Sequence, residues 1–169
     1  MDAATLRAIQ APIKDRYRGE PQAARITLTA RGTLDDQNVA CRVETGRALA
    51  VAGLHPATGG SGLELCSGDM LLEALVACAG VTLKAVATAL EIPLRSGAVS
   101  AEGDLDFRGT LGVDKTAPVG FAEIRLTFEI DTDAPQEQLD QLLKLTERYC
   151  VVYQTIRSGP DVRVSMHRA

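Results

Sequence analysis

The stretch Ser67-Gly-Asp-Met-Leu-Leu-Glu-Ala-Leu-Val-Ala-Cys-Ala-Gly-Val-Thr-Leu83 decides the fold. Its apolar residues Met70, Leu71, Leu72, Leu75, Val76, Val81 and Leu83, continued by Val86 and Leu90, surround a helical projection almost completely. That pattern reads as one long helix buried on most sides. Ser67 with Asp69 supplies a cap and first turn, the helix runs to about Glu91, and Pro93 stops it. Its charge-free centre, Ala74 to Leu83, spans ten residues between Glu73 and Lys84. A bilayer crossing needs roughly 20, so the expectation is a core helix and no membrane partner. One 169-residue domain need not cover such a helix alone.

Before this helix, Arg25 to Arg31, Asn38 to Glu44 and Arg47 to Gly53 alternate polar and apolar residues of β-favouring type. Joined at Gly32 to Asp36 and at Thr45-Gly46, they predict a three-stranded meander. Residues 1–24 form an N-terminal extension with a short helix around Ala4 to Ile9, then a loop carrying Pro12, Gly19 and Pro21. Leu54 to Gly62 is loop by composition.

After the helix come two strands, about Ala98 to Arg108 and Gly120 to Ile130. Asp133 with Gln136 resembles a capping box for a second helix to about Cys150, striped by Leu139, Leu142, Leu143, Thr146, Tyr149 and Cys150. Asp161 to His167 alternates as a final strand. The order predicts an α+β fold, a single domain over residues 25–169.

The 18 basic and 22 acidic residues include no Lys/Arg cluster, which argues against a nucleic-acid surface. The start, Met1 to Arg7, lacks the basic-then-apolar pattern of a secretion signal, so a cytoplasmic location is expected. There the four cysteines, Cys41, Cys66, Cys78 and Cys150, are poor candidates for structural disulfides. No Cys-x-x-Cys pair occurs and the only histidines are His55 and His167, so neither a metal nor another cofactor is expected.

Cys78 and Cys150, 72 positions apart (150 minus 78), each fall on the core-facing stripe of a predicted helix. A thiol there is either small core filler or half of a shielded redox pair. Cys41 reads as strand packing, Cys66 as a helix-start thiol open to a sensing or alternative resolving role, and His55 beside Pro56 as a loop residue.

A Gly-Gly loop leading into Ser67 to Cys78, a second cysteine in Glu147-Arg-Tyr-Cys150, and the element order together resemble the OsmC/Ohr family, the osmotically inducible and organic-hydroperoxide-resistance proteins. The resemblance covers about residues 25 to 168. It implies an intertwined homodimer with two long helices packed centrally. It also implies thiol-dependent reduction of organic hydroperoxides, with Cys78 attacking, Cys150 resolving, and a dithiol or other cellular thiol as reductant. Members of that family carry a Glu ten residues before the first cysteine, paired with an Arg from the N-terminal strands. Here that position is Gly68, and Asp69 and Glu73 are the nearest acids. Arg47 is the first choice for the arginine, with Arg31 and Arg42 competing. The missing Glu keeps open a non-catalytic alternative, a member that binds a small hydrophobic molecule or senses oxidants.

Peroxide reduction needs a thiolate to attack one oxygen while the departing oxygen is stabilised. Lowering a thiol from about 8.5 to about 6 raises the thiolate fraction roughly thirtyfold at neutral pH. The lost basicity costs roughly thirteenfold in nucleophilicity, leaving about a factor of two. Positioning and charge stabilisation must therefore supply the advantage. Cys78 lies beyond reach of its own helix's N-terminal dipole, and apolar surroundings raise a thiol pKa, so the expectation is a cation brought from elsewhere in the fold. Such surroundings suit an organic peroxide rather than hydrogen peroxide.

Overall fold

The computed structural model describes residues 3–34, 41–43, 52–63 and 65–168. In chain order its elements are α1 (Ala3–Gly19), β1 (Arg25–Leu34), β2 (Cys41–Val43), β3 (Ala52–Gly53), β4 (Leu65–Cys66), α2 (Ser67–Ala89), β5 (Ser96–Asp106), α3 (Phe107–Thr110), β6 (Glu123–Asp131), α4 (Gln136–Tyr149) and α5 (Val151–Ser158). Helices and an antiparallel sheet are mixed, as the α+β reading expects.

The sheet has four strands in the order β2-β1-β5-β6. β1 runs antiparallel to β5 from Arg25↔Asp106 to Thr33↔Ala98, and β5 to β6 from Ser96↔Asp131 to Asp104↔Glu123. Alternation sorts the two faces. Ile26, Val99, Ala101, Ile124, Leu126, Phe128 and Ile130 turn toward α2. On the opposite face Asp104 accepts from Thr27 at 2.7 Å and from Arg125 at 2.6 and 3.0 Å. The expected meander is present as the β1–β2 pair. Most of its third strand lies outside the described residues. Its last two residues, Ala52 and Gly53, instead pair parallel with Leu65 and Cys66 in a separate two-stranded sheet.

α2 lies across the sheet's apolar face, burying Leu72, Leu75, Val76, Ala79, Leu83 and Ala87. Its N-cap is Cys66 rather than Ser67, and the cap makes no side-chain hydrogen bond. Its C-terminus closes with Ile92 N donating to Ala87 O at 2.9 Å and Glu91 N to Thr88 O at 3.1 Å. This is a Schellman arrangement with Glu91 at φ 56° where glycine is usual. Pro93 follows and prevents continuation. At 23 residues the helix is long and apolar enough, by length and composition, to cross a bilayer; the ten-residue limit drawn from Glu73 and Lys84 was too strict. Its burial against the sheet marks it as a core helix.

Four expectations are corrected. The short N-terminal helix is instead 17 residues long, with Pro12 inside it, because Ile9, Ile13 and Tyr17 recur every four residues and hold one face onto the domain. Tyr17 is fully buried and donates to Ala57 O at 2.7 Å. The Asp133–Gln136 capping box does not form: Asp133 is taken by Arg95, which also binds Asp131 at 2.5 Å, and the N-cap is Pro135. The chain after Cys150 folds as a further helix, α5, that packs Val152, Tyr153 and Ile156 on the core. The predicted final strand is absent. Residues 159–168 have no regular structure, with Val162, Val164 and Met166 exposed, since alternation makes a strand only where a neighbouring edge accepts its hydrogen bonds.

Tyr17→Phe leaves the Ala57 carbonyl without its donor and lowers unfolding stability by about 1–2 kcal/mol. Tyr17→Ala also opens a cavity and costs about 3–5 kcal/mol. Urea unfolding checks both, and equal effects would mean the hydroxyl rather than the ring carries the contact.

Candidate active site

α2 and the junction between α4 and α5 bring Cys78 and Cys150 together. Cys150 is at once the C-cap of α4 and the N-cap of α5, with φ −72° and ψ 108°, and its Sγ accepts from Tyr153 N at 3.5 Å. It is fully buried, whereas Cys78 is half-buried. The sulfurs are not joined: both cysteines are free thiols.

The two thiols are pushed apart in acidity. Burial raises Cys78, but hydrogen bonds from the Val152 amide, the Cys150 thiol, the Val151 amide and the Thr82 hydroxyl outweigh it and hold the group below its ordinary value. Thr82 contributes least, because its hydroxyl donates to the Cys78 carbonyl at 2.7 Å. Burial pushes Cys150 up to about 11, opposed by the Tyr153 amide and reinforced by Cys78. One thiol is thus set to ionise and its neighbour to stay protonated and donate to it.

A helix terminus, which the sequence did not announce, also bears on the Cys78 thiol. Val151 and Val152 are the first two residues of α5, so their amides have no partner within that helix, and both act to lower the Cys78 thiol. Sequence reasoning missed this because α5 was not anticipated and cysteine is an uncommon N-cap.

Arg47 lies outside the described residues. Arg31 pairs with Ser100 in the β1–β5 register and Arg42 with Thr33 in the β1–β2 register. Glu73 precedes Cys78 by five residues, about 140° around the helix. Burial raises it, with Asp69 adding to the effect. Gly68 and Asp69 stand in the first turn of α2, and Asp69 is raised by burial and lowered by His55. His55 accepts from Ala57 N through Nδ1 at 3.0 Å and stacks on Phe107 at 4.9 Å. Among the described residues no group of His, Cys, Asp and Glu side chains is arranged to hold a metal.

A cavity of about 720 Å³ is bounded by residues of α2, β6, α4 and α5, mainly Leu71, Leu75, Phe121, Ile124, Leu126, Phe128, Leu143, Tyr153 and Ile156, with Glu123, Glu147 and Arg157 as its charged members. Neither sulfur is in its lining. Leu71 and Leu75 carry its wall along the α2 face whose next turn bears Cys78, and Tyr153 carries it to the turn that begins at Cys150.

Two free thiols displaced in opposite directions of acidity thus stand on a helix-over-sheet frame. A model of the OsmC-like protein family matches residues 60–165, and the chain belongs to that family. The fold is similar to the crystal structure of an OsmC-like hydroperoxide resistance protein from Jannaschia sp. CCS1, with a TM-score of 0.61 at 15% identity over 86% of this chain and 95% of that one. Comparison with curated proteins finds no significant match.

Val151→Pro deletes one amide donor at the first helical position, where proline is tolerated, after a residue already extended enough to precede it. An amide bond to a charged acceptor is worth about 1.5–3 kcal/mol, so the pH midpoint for Cys78 alkylation rises by about one unit or more. The sign is upward because fewer donors favour the thiol over the thiolate. An unmoved midpoint removes the α5 terminus from the site.

Proposed function

We propose that the protein is a thiol-dependent peroxidase for organic hydroperoxides working through Cys78 and Cys150. The observation that carries this reading is the opposite displacement of the two thiols at the start of α5. The Cys78 thiolate attacks the terminal oxygen of the hydroperoxide, the O–O bond breaks, and the leaving alkoxide takes a proton to become an alcohol. Cys78 is left as a sulfenic acid. The neighbouring Cys150 thiol then condenses with it, forming a disulfide and releasing water. A dithiol or other cellular thiol supplies the two electrons that restore both thiols.

With amides serving the thiolate, the remaining electrostatic task is the leaving oxygen. We assign that task to an arginine of the N-terminal strand region, Arg47 first, then Arg31 or Arg42, with Glu73 as a candidate acid partner. Membership of the family and the likeness to a hydroperoxide resistance protein support the reaction class. The apolar cavity supports an organic substrate over hydrogen peroxide.

We further propose a homodimer. Ala74, Val81 and Ala85 form an exposed apolar stripe on α2, with Cys78 among them. A second copy covers that stripe best, and its sheet edge would give residues 161–167 the hydrogen-bond partner that one chain lacks.

Cys78→Ser abolishes multiple-turnover consumption of cumene hydroperoxide, while Cys150→Ser reacts once and accumulates sulfenic acid detectable by dimedone and mass spectrometry. Retention of more than half the activity in Cys78→Ser would rule it out as the attacking thiol. Val81→Asp shifts the sedimentation profile toward monomer; a wild-type profile that is already monomeric overturns the dimer.

A further inference from the structure

A second cavity, of about 430 Å³, opens at the start of α2, walled by Leu71, Leu105, Phe107, Val119 and Phe121, with His55 and Cys66 at its polar side. Leu71 and Phe121 also line the larger cavity, so both side chains stand on a border that the two spaces share. The Phe121 ring is seated on Gly103: a Cβ there would lie 2.5 Å from the ring, so the absence of a side chain in β5 sets where the ring rests.

These spaces follow one another along α2. From Cys66 to Cys78 is 12 positions (78 minus 66), about 18 Å of helix. Either cavity alone has the volume of a small-molecule site, whereas the two in line suit a chain-like ligand.

We propose that Phe121, with Leu71, is a specificity-determining partition. It divides one apolar groove into a larger compartment and a compartment at the α2 start, and so sets the length of acyl chain the protein accepts. The occupant is the alkyl tail of a lipid hydroperoxide whose peroxide group reaches the Cys78 end. Its tail passes Leu75 and meets Phe121, beyond which Phe107 and Leu105 offer further apolar wall. This deepens the peroxidase reading and rests on it for the substrate, but the groove itself binds tails whether or not they carry a peroxide.

The test compares wild type with Phe121→Ala and the milder Phe121→Leu, each checked for folding by circular dichroism and thermal melting. Two profiles are read. The first is the ratio of kcat/KM for linoleic acid hydroperoxide to that for cumene hydroperoxide. The second is the affinity for unreactive hexadecanol relative to hexanol by calorimetry. Each methylene newly buried is worth roughly fourfold, so opening the partition to two or three of them raises both ratios by about tenfold or more in Phe121→Ala, with a smaller rise in Phe121→Leu. Folded variants whose ratios match wild type overturn the partition. A rise in the alcohol ratio without turnover of any peroxide keeps the partition and rejects the peroxidase reading; turnover with neither ratio moved does the reverse. If Phe121→Ala fails to fold, Phe121→Leu and Leu71→Ala carry the same comparison.

Discussion

The site depends on one contact, the first-turn amides of α5 meeting the sulfur of Cys78. Each participant comes from a different part of the chain. α2 holds the sulfur in place because it is packed along the sheet, and α5 starts where it does because the backbone turns at Cys150. A charged acceptor gains about 1.5–3 kcal/mol from each such donor, enough for two of them to offset the partial burial that disfavours a thiolate. The net direction, downward for Cys78, is the result of that contest.

Cys150 has structural work besides its proposed chemistry. Its sulfur accepts the Tyr153 amide and so caps the helix that serves Cys78. Joining the two sulfurs would redirect that lone pair and remove the anion that the Val151 and Val152 amides favour. Tyr153, whose amide the Cys150 sulfur accepts, also walls the larger cavity.

What could be read from sequence follows the range of the forces involved. α2 was legible because its apolar periodicity extends over many residues, and β5 and β6 because alternation with one wet face is a strong signal. The second cysteine was legible as a position but not as a geometry. Val151-Val-Tyr153 favours strand by local propensity, and only packing of Val152, Tyr153 and Ile156 on the core makes it a helix. Asp133 carried a genuine capping signal, overridden by Arg95 from 38 positions away. The alternation of residues 161–167 is equally genuine, yet a strand is a property of two edges and the segment holds only one. The amide cradle could not be read at all, since it consists of backbone groups whose importance appears only once a helix is known to begin there.

Acidity alone would serve such a site poorly. A thiol driven far down would be fully ionised and correspondingly poor as a nucleophile, because nucleophilicity falls with basicity at a slope of about 0.4–0.5. Most of the gain from ionisation would then be lost, and the remaining factor of about two would not justify the burial. Amides fixed in a helix differ from a mobile side chain in that their position is set by the fold. Cys78 and Cys150 act on each other's acidity, so the proposed resolving step would need no long search. Placement, more than acidity, is what this arrangement supplies, and placement is what a helix locked into a core can provide.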